Sequence, residues 1–319
     1  MTMQSRLIPW PGNIYAVDSG YARPGLAAVH LIVEEGRVAV VDTAHNRSLS
    51  RFLAALAELG LKPEAVDYVF LTHVHLDHAG GTGAYMARLP NAKLVVHPNG
   101  APHMIDPSRL YASTLAVYGW IKTLYLYGRL VPVPADRVIE AEDGQVFSLA
   151  GRPLQCLHTP GHAKHHLCLW DERERACFTG DTFGIAYREL YTDGEPFIIP
   201  ATTPTHFDPE VLKDSVRRLL ALQPEAMYLT HFSRVGDVAR QGEQLLRRID
   251  DFVALAEAAP GTGKDRKKAI HAAIGRYLFA EAPAMSQKGL WPILKIDMEL
   301  NAQGLAMWLD RRSSARRAE

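Results

Sequence analysis

The chain has 319 residues, 47% of them hydrophobic and 22% charged, so it can bury a substantial core and is neither a disordered segment nor a fibre. Lys plus Arg and Asp plus Glu both number 35, which leaves no net charge to hold a polyanion and argues against nucleic acid as a partner. No run of about eighteen apolar residues is present, and prolines and a glycine interrupt the first residues, MTMQSRLIPWPGN, before a signal segment develops; a cytoplasmic protein with no membrane partner is expected.

From Ala27 the run AAVHLIVEEGRVAVVDTAH reads as a β-hairpin turning at Glu35-Gly36. Asn46 is a candidate cap for a helix to Leu59, because Leu49, Phe52, Leu53 and Leu56 recur at helical spacing and Gly60 follows. VDYVFL, Val66 to Leu71, is then short enough for a buried strand, GGTGAYMARL reads as a helix, and KLVVHP, Lys93 to Pro98, as the next strand. Strand, loop, helix, strand is the α/β arrangement in which ligand-handling residues gather beyond the carboxyl ends of strands.

Residues 101 to about 130 carry Tyr111, Tyr118, Trp120, Tyr125 and Tyr127 among leucines without strand alternation, and are expected to form a helical insertion. It is either a packing surface or a lid that walls an apolar pocket. Strands resume from about Arg137 to Phe178, with turns at Asp143-Gly144 and Ala150-Gly151. Asp208 and Pro209 open a helix ended by Pro224, AMYLTHF forms a strand, and Gly236 to Ala259 is helical. APGTGKDRKK is the strongest boundary signal, placing a catalytic domain at residues 1 to 259 and a C-terminal extension at 260 to 319. The extension is read as two helices, about Asp265 to Ala280 and Leu290 to Asp310, a candidate homodimer surface, and then a disordered basic tail, RRSSARRAE. Cys156, Cys168 and Cys177 lie in apolar, strand-like surroundings with no Cys-x-x-Cys spacing and read as buried, inert thiols.

The stretch FLTHVHLDHAGG concentrates His73, His75, Asp77 and His78 directly after a strand. Three imidazoles in an apolar setting would each need a hydrogen-bond partner, a need that metal ligation meets, while the carboxylate adds negative charge against the cation. In an extended segment His73 and His75 point the same way, with Asp77 and His78 past the bend, so one loop can face two adjacent metal positions. Four ligands are too few for two ions. Further candidates follow apolar runs: His162 in HTPGH, Asp181 in CFTGDTFG and His231 in YLTHF.

This series of seven resembles the complete metal-ligand set of the metallo-β-lactamase superfamily, in its hydrolase branch with glyoxalase II and the acyl-homoserine lactonases, over about residues 10 to 255. The resemblance implies an α/β fold of the αββα sandwich type, with metals at one edge between two sheets. It implies that His73, His75 and His162 hold one metal, that Asp77, His78 and His231 hold the other, that Asp181 bridges both, and that Asp42 in VVDTAH orients a ligand. Two divalent ions, zinc first with manganese, iron or cobalt as alternatives, would share a hydroxide that attacks an ester, lactone or thioester of a small molecule. Asp77 is then either a pure ligand or a ligand that also accepts or returns a proton.

Asp181 stands where the best-known zinc β-lactamases have cysteine, which argues against antibiotic hydrolysis. GHAKHH departs from the glyoxalase II pattern, whereas FDPEVLKDSVRRLLALQPEAMYLTHF follows the lactonase layout. Tyr187 is a candidate hydrogen-bond donor to substrate, with packing as the alternative, and His165 a candidate for the periphery of the site, with a core role as its alternative. His30, His45, His97, His103, His158, His206 and His271 read as structural. Three further readings stay open: a mononuclear iron enzyme resembling persulfide dioxygenases, a phosphoesterase, and a non-enzymatic dimeric binding protein.

Overall fold

The computed structural model describes residues 7–204, 206–282 and 291–315. The start of the N-terminal segment, Leu290 and the last four residues of the basic tail lie outside the described residues, as do the side chains of Tyr118 and Lys122 in the insertion. By contacts the chain forms two units, one of Met1–His158, His165–Gly180 and Pro224–Gly236, the other of Thr159–Lys164, Asp181–Gln223 and Asp237–Glu319.

The first unit contains two sheets. In one, β1 (Leu7–Trp10), β2 (Ile14–Asp18), β3 (Ala28–Glu34), β4 (Arg37–Val41), β5 (Val66–Phe70), β6 (Lys93–Val96) and β7 (Val138–Glu140) lie in chain order. Pairing is antiparallel up to β4 and parallel from β4 to β7. The expected hairpin is β3–β4, with Glu35 at φ 45° and Gly36 at φ 76° supplying the two left-handed residues that a two-residue turn requires. The other sheet comprises β8 (Val146–Leu149), β9 (Arg152–His158), β10 (Leu167–Asp171), β11 (Ala176–Gly180), β12 (Ala226–Leu229) and β13 (Ser233–Val235), in the order β13-β12-β11-β10-β9-β8.

Strand alternation divides the apolar residues between two cores. Ile32, Ala39, Val41 and Phe70 face Leu154, Cys156, Leu169 and Phe178 between the sheets. Leu31, Val38, Val40 and Val69 point the other way, onto Phe52 and Leu56 of α1 (Ser48–Glu58) and Tyr85 and Met86 of α3 (Thr82–Arg88). Between β5 and α3 runs the histidine loop, closing on the four-residue turn α2 (Leu76–Ala79). α1 starts one residue later than expected. Arg47 occupies the cap position, and the Asn46 amide donates instead to the Arg129 carbonyl, 2.6 Å away, because Ser48 already anchors the turn through the Thr43 and His45 carbonyls.

The insertion is helical, as α4 (Ala101–Ile105), α5 (Ser108–Tyr118) and α6 (Trp120–Tyr127). Trp120 and Tyr125 are exposed on α6, while Tyr127 is buried with its hydroxyl 2.7 Å from that of Tyr21. The cysteines are buried and unbridged, and burial pushes the Cys156 thiol up to about 12, as expected of inert sulfur.

The second unit holds α7 (Pro209–Ala221), α8 (Val238–Glu257), α9 (Gly263–Glu281) and α10 (Lys295–Ala315). Asp208 caps α7 as expected, accepting from the Val211 amide at 3.2 Å with Pro209 in the first turn. α10 continues through Arg311, Arg312 and Ser314 to Ala315, so the first part of the expected disordered tail is ordered helix. Arg312 there donates to Glu257 at 2.6 Å, and Arg311 to the Phe207 carbonyl at 2.6 Å. No helix among the described residues is long and apolar enough to cross a membrane.

His30 on β3 is buried, with Phe178 and Tyr228 packed edge-on against it. Burial pushes its imidazole down to about 4, against a weaker upward pull from Asp42. The unfolded chain therefore binds more protons than the folded one between about pH 4 and 6.5, and the contribution of His30 to stability, complete above 6.5, is lost as pH falls through that window. Urea denaturation is expected to show His30 alone removing about 2 kcal/mol between pH 7 and 5. His30→Gln should have a visibly shallower pH dependence over that range; equal slopes would remove His30 from the account.

Candidate metal centre

Each unit presents its own converging donors. In the first, β5 delivers Thr72 and His73 to its carboxyl end, the extended segment carries His75, and the α2 turn projects Asp77 and His78. β12 delivers Thr230 and His231 in the same manner. One ligand atom from each of Asp77, His78 and His231 lies within 4.8 Å of the other two. The Asp77 carboxylate is 3.7 Å from His78 Nε2 and 3.5 Å from His231 Nε2. His73 Nε2 stands 2.9 Å from His75 Nδ1, and the His73 ring lies 4.0 Å from that of His78. In the second unit, His162 Nε2 lies 3.4 Å from Asp181 Oδ2.

The nitrogens facing away from these clusters are anchored, which decides the ring tautomers. His78 Nδ1 donates to Asp42 Oδ2 at 2.8 Å, His231 Nδ1 to the Leu26 carbonyl at 2.8 Å, and His162 Nδ1 to the Ala201 carbonyl at 2.9 Å. Each then carries its lone pair on Nε2. Asp42 is the hub: fully buried at φ 58°, it accepts from the Thr72 amide and hydroxyl, from the Thr230 hydroxyl and from His78. With its own proton given to Asp42, the Thr72 hydroxyl can accept from His73 Nδ1 at 3.1 Å. Sequence reading marked Asp42 but not Thr72 or Thr230. The signal was present, because Leu-Thr-His occurs twice, at 71–73 and at 229–231, each time at a strand end.

Two glycines permit close approaches. At Gly180, φ 49°, a Cβ would stand 2.6 Å from Thr72 Oγ1 and 2.7 Å from His166 Nε2. At Gly161, φ 121°, it would stand 2.3 Å from the Leu212 backbone of α7. His166, which sequence reading left without a role, is buried and stacks on His73 at 4.9 Å between centroids. The expected peripheral residue, His165, takes the Val74 amide on Nδ1 at 3.4 Å and lies parallel to the His73 ring at 6.2 Å.

α10 braces the second unit's ligand loop. Asn301 accepts from the Thr202 amide at 2.6 Å and from its hydroxyl at 2.8 Å, fixing the strand of chain whose Ala201 carbonyl holds His162. The Tyr187 hydroxyl donates to Asp297 of the same helix at 3.0 Å.

Donors of this kind, imidazole Nε2 atoms with carboxylate oxygens and anchored far sides, fit a divalent transition metal. A family model, the metallo-beta-lactamase superfamily, matches residues 22–231. A metallo-beta-lactamase fold-containing protein of Sulfurisphaera tokodaii is 27% identical over 224 residues, 69% of this chain and 78% of that protein. An atrochrysone carboxyl ACP thioesterase of Aspergillus fumigatus is 30% identical over 54% of this chain and 42% of its own length, and an N-acyl homoserine lactonase of Bacillus cereus 28% over 53% and 56%. This chain thus spans 42% and 56% of those two enzymes. In fold it is similar to an archaeal metallo-beta-lactamase superfamily protein from Sulfolobus tokodaii, at TM-score 0.64 and 24% identity over 93% of this chain and 99% of the other. With the family match spanning most of the chain and both sheets in place, the protein belongs to the metallo-beta-lactamase superfamily, its αββα fold elaborated by a helical insertion and C-terminal helices.

Proposed function

We propose that the protein is a metal-dependent hydrolase of small-molecule esters, lactones or thioesters. Two divalent ions, zinc in the first instance, would be held by His73, His75 and His162 and by Asp77, His78 and His231, with Asp181 shared between them. The convergence of Asp77, His78 and His231, with every far-side nitrogen tied to an acceptor, carries this reading. The relatives named as a thioesterase and a lactonase support the substrate classes.

Bound ions of this kind supply Lewis acidity, which polarises a carbonyl and brings water's proton within reach of neutral pH. The chain does the rest. Asp42 holds the His78 tautomer and, through Thr72 and Thr230, braces the two strand ends that carry His73 and His231. Asp77, with its side chain 29% exposed, is the carboxylate of its cluster with access to solvent, and we assign it the proton relay to the departing oxygen or sulfur. Tyr187, committed to Asp297, is assigned to holding α10 rather than to substrate. Trp120, Ile121 and Tyr125 on α6 offer apolar surface for an acyl group.

Metal analysis of the purified protein, joined to a panel of lactones, thioesters, carboxyl esters, phosphoesters and a persulfide, tests the proposal. Two metals per chain are expected, with hydrolysis of at least one acyl substrate that a chelator abolishes and zinc restores. A single iron with oxygen consumption would replace this reading with the dioxygenase one, and hydrolysis that survives complete metal removal would end it.

A further inference from the structure

The first unit has a cleft of about 550 Å³ at the start of α1, lined by none of the proposed metal ligands. Three arginines line it, Arg47, Arg51 and Arg88, beside Ser50, Leu49 and Leu53. None of the three pairs with a carboxylate among the described residues. Among the described residues, Arg47 lies over the Tyr125 ring at 5.0 Å, the Arg51 side chain donates to the Asp18 carbonyl at 3.4 Å, and the exposed Arg88 side chain makes no hydrogen bond. The Asp18 carboxylate itself is taken by the amides of Gly20 and Gly25. Three guanidiniums with no carboxylate partner among the described residues give one cleft a positive lining that attracts an anion.

A second observation points to a ligand. His45 lines the same cleft at 2% exposure; its Nε2 donates to the Ser19 carbonyl at 3.3 Å, while its buried Nδ1 has no partner among the described residues. An unsatisfied buried acceptor is costly unless a ligand donates to it. Burial, with help from the Arg47 and Arg51 charges, lowers the ring to about 4, so Nδ1 keeps its lone pair at neutral pH and would accept from a hydroxyl, including that of a monoprotonated phosphate.

We propose that this cleft binds a phosphate monoester carried on a short apolar arm. The guanidiniums suit a phosphoryl group, and His45 suits its proton. The volume far exceeds one phosphate ion, and Leu49 and Leu53 give the remainder an apolar lining. This site does not depend on the hydrolase reading, because its ligands and its readout involve neither the metals nor turnover.

Calorimetric titration with butyl phosphate, inorganic phosphate and butanol tests it. Butyl phosphate is expected to bind more tightly than inorganic phosphate, butanol not to bind, and affinity to fall as salt rises. Arg51→Gln/Arg88→Gln should weaken butyl phosphate at least tenfold while metal content stays unchanged. Arg88→Gln alone, at an exposed position without side-chain partners among the described residues, should weaken it severalfold with no effect on folding. Wild-type affinity in the double variant would place the anion elsewhere, including at the metals, and overturn the proposal; so would the absence of binding by either phosphate, or butanol binding as tightly as its phosphate.

Discussion

Asp42→Asn is expected to weaken metal binding 10- to 100-fold and to destabilise the protein by about 2–4 kcal/mol, although it changes no proposed ligand. One carboxylate oxygen accepts from the Thr72 hydroxyl, from Thr230 and from His78 at 2.8–2.9 Å, and the other from the Thr72 amide at 2.9 Å. Whichever way an asparagine amide turns, its NH2 faces a donor inside a fully buried site. With the amide nitrogen towards His78, the ring loses its acceptor and the tautomer that presents Nε2. Competition with a chromogenic chelator measures the first effect and urea midpoints of the metal-depleted protein the second. An asparagine variant with wild-type metal affinity would show that Asp42 braces the fold without tuning the ligand.

His231→Ala should lower metal content by about one ion per chain and reduce hydrolysis of the best panel substrate at least 10³-fold, while melting within a few degrees of wild type. The side chain is nearly buried, its Nδ1 is anchored on the Leu26 carbonyl, and it belongs to neither apolar core, so truncation removes a ligand rather than core packing. The same substitution separates one-metal from two-metal chemistry. Retained full activity with one ion would assign turnover to the other ligand set and overturn the dinuclear mechanism.

The likeness of fold was legible because its markers are local. The Glu35-Gly36 turn, the Asp208-Pro209 start of α7 and the apolar runs of β5 and β12 are decided by neighbours in sequence, and each stands where spacing predicts. Asn46 failed as a cap for a non-local reason, since its amide is drawn 83 positions along the chain to Arg129. The arginine-rich end of the chain reads as unstructured by charge alone, yet it is helical to Ala315 because Glu257 and the Phe207 carbonyl, distant in sequence, receive its guanidiniums.

By itself the sequence determined the family, through ligand types whose order and spacing few other folds require, and with it the expectation that FLTHVHLDHAGG serves metal. Tertiary structure decided what makes those donors usable. A ring's tautomer depends on what its far nitrogen meets, and for His78, His231 and His162 those acceptors are Asp42, Leu26 and Ala201, between 36 and 205 residues away. The role of α10 was illegible for the same reason. Nothing in its own residues marks Asn301 as the brace of Thr202, because a hydrogen bond across 99 residues leaves no local pattern and exists only when folding brings its two ends together.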